Sequence, residues 1–144
     1  MILIVTSSTQ ANDKIKQCLI DRLRMSLSEA DFARAINAED ALQFISSEDA
    51  GVDLVFVAAR TFEEAVAFEL ELRSAHPEMP LIVVHGMDRI RNIPRPHSAD
   101  VAFPLRSFCL QKAIGSVLKP AVLVKFVYLP SGISQAMAQG LVTA

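Results

Sequence analysis

The chain has 144 residues, of which 51% are hydrophobic and 21% charged, with a net charge of −2 and a mean hydropathy of +0.33. That is one domain by length, with enough chain to bury a core without staples, and a composition too apolar for intrinsic disorder. A single cluster of basic residues, Arg89, Arg91, Arg95 and Arg106, is too sparse for a nucleic-acid surface, and the nine-residue apolar run at 121–129 carries Lys125 and is far short of the ~20 residues of a membrane span.

Residues 2–5, ILIV, read as a strand that begins almost at the amino terminus. The stretch MILIVTSS has no positive leader and too short an apolar run for a signal peptide, which implies a cytoplasmic chain. TSSTQAND then supplies capping side chains, and Ile15, Cys18, Leu19 and Leu23 recur at helical spacing. DFARAI is a second strand candidate, carried by Phe32, Ala33 and Ile36. Asn37 reads as the cap of a short helix with Ala41, Leu42 and Ile45 on one side and Asp40 at its third position.

VDLVFV, 52–57, is the third strand, apolar enough to be buried on both faces. Thr61 and Glu64 form a T-x-x-E capping box that opens a helix to about Ala75, with Ala65, Phe68 and Leu72 facing inward. His76-Pro77 closes it, because the residue before proline avoids helical angles. LIVV at 81–84 is the fourth strand. Pro94 and Pro96 spoil the next segment as a helix and leave at most one turn near Arg89 to Asn92.

ADVAF at 99–103 is the fifth strand, and Phe108, Cys109, Lys112, Ala113 and Val117 lie along a last helix. Strands alternating with helices in so short a chain imply right-handed crossovers and a parallel sheet covered on both sides. The expected fold is therefore α/β, a doubly wound five-stranded parallel sheet in the order 2-1-3-4-5. Residues 1–119 form the domain and 120–144 a C-terminal extension, where Val122, Val124 and Val127 favour an extra strand over a longer helix. Both cysteines, Cys18 and Cys109, read as buried free thiols in a reducing setting.

Several of these segments, in this order, resemble the receiver domains of bacterial two-component response regulators. ILIV opens the chain, AEDAL follows the second strand, DLVFV is the third, LRSAHPEMPLIVV leads into the fourth, and ADVAFPL carries the fifth with its proline. The resemblance covers roughly residues 1–118 and implies the flavodoxin-like fold. It also implies a site: two carboxylates after the first strand to hold magnesium, and an aspartate ending the third strand to accept phosphate. Here those positions hold Thr6, Ser7 and Ala58. A shift of one residue brings Val57 or Ala59 to the acceptor position, and neither is acidic.

The family's switch threonine or serine aligns with His85, and its lysine before the fifth-strand proline with Phe103, next to Pro104. Hydroxyls cannot offset a divalent cation as carboxylates do, and alanine has no nucleophile. The resemblance therefore implies a pseudo-receiver: a regulatory domain acting by protein contact, independent of phosphorylation, with neither catalytic residues nor a cofactor. The family's output and dimer surfaces imply a protein partner or a second copy at the remodelled 86–98 region, the last helix or the 120–144 tail. No helix-turn-helix or P-loop pattern appears in these residues.

The rival reading is a flavodoxin-like module that binds a small anion or nucleotide phosphate at the 6–12 loop through Ser7, Ser8 and Thr9, between a strand and a helix start. The loop lacks the glycine that permits close approach to phosphate, and capping is the plainer account. His76, His85 and His97 have no ligand partner at metal spacing, so no metal site is expected. His85 stands out as a pH-sensitive group, although a satisfied polar residue near the sheet edge is the simpler role. Ser7 and Ser8 lack the G-x-S-x-G elbow of a hydrolase nucleophile.

Overall fold

A computed structural model describes residues 1–47, 50–86 and 93–126. Five strands, β1 (Ile2–Val5), β2 (Phe32–Ala35), β3 (Leu54–Val57), β4 (Leu81–His85) and β5 (Ser98–Ala102), form one parallel sheet in the order β2-β1-β3-β4-β5. The α-helices are α1 (Thr9–Gln17), continued by a π-helical turn at Cys18–Arg22, α2 (Ala38–Ser46), α3 (Phe62–Ala75), α4 (Ser107–Val117) and the short α5 (Pro120–Leu123), with a 3-10 turn at Glu29–Asp31 before β2. The expected order of elements and the doubly wound topology are both present.

The period of two along the central strands sorts the core into two layers. Ile2, Ile4, Leu54, Phe56, Ile82 and Val84 pack with Ile15 of α1 and Leu110 of α4. Leu3, Val5, Val55, Val57, Leu81 and Val83 pack with Ile45 of α2 and with Phe68 and Leu72 of α3. Three caps fix where helices begin: Ser8 Oγ accepts from Ala11 N–H, Asn37 Oδ1 from Asp40 N–H and Thr61 Oγ1 from Glu64 N–H. Asp53 stays at the far, amino-terminal edge, where the Met1 ammonium donates to it at 2.7 Å.

Several details depart from the sequence expectations. Strand β2 ends at Ala35, which is buried, and Ile36 beyond it is 60% exposed. On α4 the buried positions are Leu110, Ala113, Ile114 and Val117, whereas Phe108 and Cys109 are exposed. The inward stripe of α4 is Leu110, Ala113, Ile114 and Val117, and Phe108, two residues before Leu110, falls on the opposite side of the helix. Pro120 occupies the first turn of α5, where its missing N–H costs nothing, so 120–123 is helical rather than a strand. Phe126 just beyond is buried, and its carbonyl accepts from Ser26 N–H at 2.8 Å. The remainder of the expected strand, with Val127, and the rest of the tail lie outside the described residues, as does the possible turn near Arg89 to Asn92. Residues 93–97 are non-helical.

Candidate functional site

The sheet's register decides what meets at the carboxyl ends of the strands, where open α/β sheets carry their sites. Val5 pairs with Val57, so Thr6 and Ala58 come next side by side, and Ala58 N–H donates to Val5 O at 2.9 Å. Thr6 and Ala58 are both buried, while Ser7 is exposed. All three line a crevice of about 230 Å³ with Asn37 and Glu64. Thr6, Ser7 and Ala58 directly follow β1 and β3, and the acidic side chains among the described residues that line the same crevice, Glu64 and Glu71, come from α3.

The hydroxyls of Thr6, Ser8 and Thr9 are engaged within the chain. Thr6 Oγ1 accepts from Ser8 N–H at 3.1 Å, Ser8 caps α1, and Thr9 Oγ1 accepts from Arg34 Nη1 at 3.3 Å. At the β5 tip the Phe103–Pro104 peptide is cis, and Lys14 of α1 places its Nζ 5.8 Å from the centre of the Phe103 ring. That cation–π contact brings an ammonium near the position where the resemblance implies a lysine, but it is held by an aromatic face.

His85 ends β4 on the α3 side of the sheet, and its ring is 4% exposed. Its Nε2 lies 2.7 Å from Asp100 Oδ1 of β5. Asp100 in turn accepts from Arg95 Nη1 at 2.7 Å and Nη2 at 3.0 Å, and Arg95 Nε donates to Glu69 of α3 at 2.7 Å. Arg73, one turn along α3, donates to the carbonyls of Met79 and His97 and to Ser98 Oγ, each at 2.7 Å. Among the described residues, every buried side-chain nitrogen and oxygen has a hydrogen-bond partner.

This chain of polar groups covers the part of the sheet beside β4 and β5. Burial opposes the charge on Arg95, yet its hydrogen bonds to Asp100 and Glu69 more than compensate and hold the guanidinium above its ordinary range. Burial lowers Arg73, with Glu69 opposing and Arg95 adding to the fall.

Glu69, Arg95 and Asp100 are the residues that sequence reasoning missed. Signals existed: Glu69 sits four residues after inward Ala65, and Asp100 interrupts an otherwise apolar strand. A carboxylate at such positions needs a partner. Arg95 reads as part of a surface basic cluster in sequence but turns inward here.

The three histidines are not gathered. His85 lines a cavity at the carboxyl ends of the strands, whereas His76 and His97 line a groove at the other end. Among the described residues no group of three or more His, Cys, Asp or Glu side chains is placed to hold a metal ion. Nor is any described helix long and apolar enough to cross a membrane.

No family model and no curated protein matches the chain. Solved structures do match. The receiver domain of NtrX from Brucella abortus aligns with a TM-score of 0.59 at 21% identity, over 81% of this chain and 98% of that one. This is the receiver fold. A two-component transcriptional regulator, AraC, from Clostridium phytofermentans ISDg has the same fold, with a TM-score of 0.60 at 16% identity over 85% of this chain and 97% of that one. Against the longer NtrX chain, at 22% identity and a TM-score of 0.58, 81% of this chain is covered but only 26% of that one. On this receiver fold, Thr6, Ser7 and Ala58 occupy the tips of the two central strands, and His85 and Phe103 the tips of the next two.

Proposed function

We propose that the chain is a pseudo-receiver: a two-component-type regulatory domain that acts through protein contacts and does not take up a phosphoryl group at the β3 tip. The observation that carries this reading is Ala58 at that tip, beside buried Thr6 and in one crevice with Ser7. A methyl group offers no electrophile-accepting oxygen, and two neutral hydroxyls do not offset a divalent cation. Phe103 in place of a pairing ammonium fits the same loss. The chain is then a binding module rather than an enzyme, and transcriptional control is the natural output if a further domain belongs to the parent protein.

Residues 1–119 would be the regulatory body and 120–144 the extension. Partner surfaces fit the 86–98 region and α4, where Ile93 is 63% and Phe108 76% exposed, and the 120–144 tail. Intact mass after incubation with acetyl phosphate and magnesium tests the central claim. An unchanged mass is expected, and a stoichiometric phosphoryl adduct abolished by substitution near the β3 tip would overturn it. Light scattering of Phe108→Ser and of the chain ending at residue 126 tests the surfaces: an unaltered oligomeric state and unaltered partner binding in both would remove α4 and the tail from consideration.

A further inference from the structure

The crevice of about 230 Å³ beside the β1 and β3 tips has an apolar flank that the loss of phosphoryl chemistry leaves unexplained. We propose that this crevice takes the outer face of α4 from a second copy of the chain, with Phe108 as the inserted side chain, so that copies associate head to tail. Such a contact rests on the reading of the chain as a module that acts by protein contact with α4 among its surfaces, and it supplies the surface that α4 meets.

Ile36, Ala67 and Phe68 form the apolar flank, and Ile36 is 60% exposed. Glu64 and Glu71 line the same crevice seven residues apart on α3, about 10.5 Å of helix rise, and both are exposed. In the first turn of α2, Glu39 and Asp40 directly follow Ala38, another lining residue, and are exposed too. Among the described residues none of these four carboxylates makes an ion pair. Arg60 is the basic residue of the lining, so the flank carries a surplus of negative charge.

The outer face of α4 has the complementary pattern. Phe108 is 76% exposed, and Lys112 lies one turn along on the same side of the helix. Arg106 stands just before the helix, and both cations are exposed and make no ion pair among the described residues. No Asp or Glu occurs from Leu105 to Lys119. Arg106 and Lys112 are six residues apart, about 9 Å of helix rise, close to the spacing of Glu64 and Glu71. An aromatic ring between two cations on one surface thus matches an apolar flank between two carboxylates on the other.

The placement of the two surfaces fixes the kind of assembly. Leu110 of α4 packs on the sheet face that carries Ile4, Phe56 and Ile82, whereas Phe68 of α3 packs on the face that carries Val5, Val57 and Val83. Knob and crevice therefore lie on opposite sides of one copy, and a twofold dimer cannot satisfy both at once. Each copy offers its α4 to the next, and the contact repeats from copy to copy unless a ring closes. Exposed charges edge the contact, so salt weakens it.

Light scattering on the full chain, from about 10 µM to about 1 mM protein, reads the association. The expected result is a mass that rises past that of a dimer with concentration in about 20 mM salt and falls toward the monomer in about 500 mM salt. Phe108→Ser and Glu71→Lys, both at exposed positions, should each weaken self-association at least about tenfold, the first by removing the inserted ring and the second by setting like charges together. An equimolar mixture of the two variants should form a species of two chains and no more, because one intact knob then meets one intact crevice. A monomer at every concentration, association indifferent to Glu71→Lys, or a mixture that stays monomeric would overturn the proposal. If Phe108→Ser abolishes association and Glu71→Lys does not, α4 remains a contact surface while its pairing with this crevice is excluded. None of these outcomes bears on the acetyl phosphate experiment, so the two readings fail separately.

Discussion

Arg95 and Asp100 meet through two roughly parallel hydrogen bonds, Nη1 to Oδ2 at 2.7 Å and Nη2 to Oδ1 at 3.0 Å, with both side chains largely buried. This bidentate geometry fixes orientation as well as charge, and it joins the segment before β5 to the strand itself. The third nitrogen, Nε, reaches Glu69, so one guanidinium ties α3, the segment and β5 together.

Removing that guanidinium takes a charged partner from two largely buried carboxylates, Asp100 and Glu69. Arg95→Ala is expected to destabilise the fold by ~3–5 kcal/mol in urea denaturation, because breaking a buried ion pair from one side costs more than the pair contributes. Arg95→Lys should recover only part, since a point charge cannot bridge both acids. A loss below about 1 kcal/mol would mean the network is solvated rather than buried.

Burial pushes the Cys18 thiol above its ordinary range, with Arg22 opposing. The folded chain therefore holds the thiol proton more tightly than the unfolded chain. Its contribution to stability is complete below the unfolded thiol's pKa of about 8.5 and is lost as pH rises through the folded value. The melting temperature should accordingly fall more steeply above about pH 8.5 in the wild type than in Cys18→Ala. In the native protein a thiol reagent should modify exposed Cys109 quickly and Cys18 slowly.

The two sides of the first turn of α4 give a contrast. Leu110 is fully buried and Phe108 is 76% exposed. Leu110→Ala is expected to cost ~2–5 kcal/mol and Phe108→Ala under about 0.5 kcal/mol, read as shifts in urea midpoint at unchanged slope. Comparable losses for both would show that Phe108 packs on the domain.

Ala58→Asp places a carboxyl in a buried position, in a crevice that Arg60, Glu64 and Glu71 also line. Stability should drop by ~1–3 kcal/mol at neutral pH and partly recover on acidification, since the neutral acid is cheaper to bury. Millimolar magnesium should leave the melting temperature of this variant unchanged, because Thr6 and Ser7 bring no charge. A clear magnesium-dependent rise would show that one carboxylate suffices to build the site.

Much of the fold was legible because it rests on local chemistry. Caps at Ser8, Asn37 and Thr61 and apolar runs at 2–5, 52–57 and 81–84 mark element type and order, and the crossover rule then leaves few topologies. Strand and helix ends were less legible. Ile36 and Phe108 are apolar residues that look inward by composition, but the sheet ends before one and the other lies on the face of α4 opposite Leu110.

By itself the sequence determined the two-sided sheet and the chemical identity of what stands at its tips, since hydroxyls, a methyl group and an aromatic ring remain what they are in any conformation. Tertiary structure alone decided that Glu69, Arg95, Asp100 and His85, with 16 positions from Glu69 to His85 and 15 from His85 to Asp100, share one buried cluster. Such pairings leave no periodic trace. They arise because each charge, once taken out of water, must find a partner, and only the packed sheet brings those partners within reach.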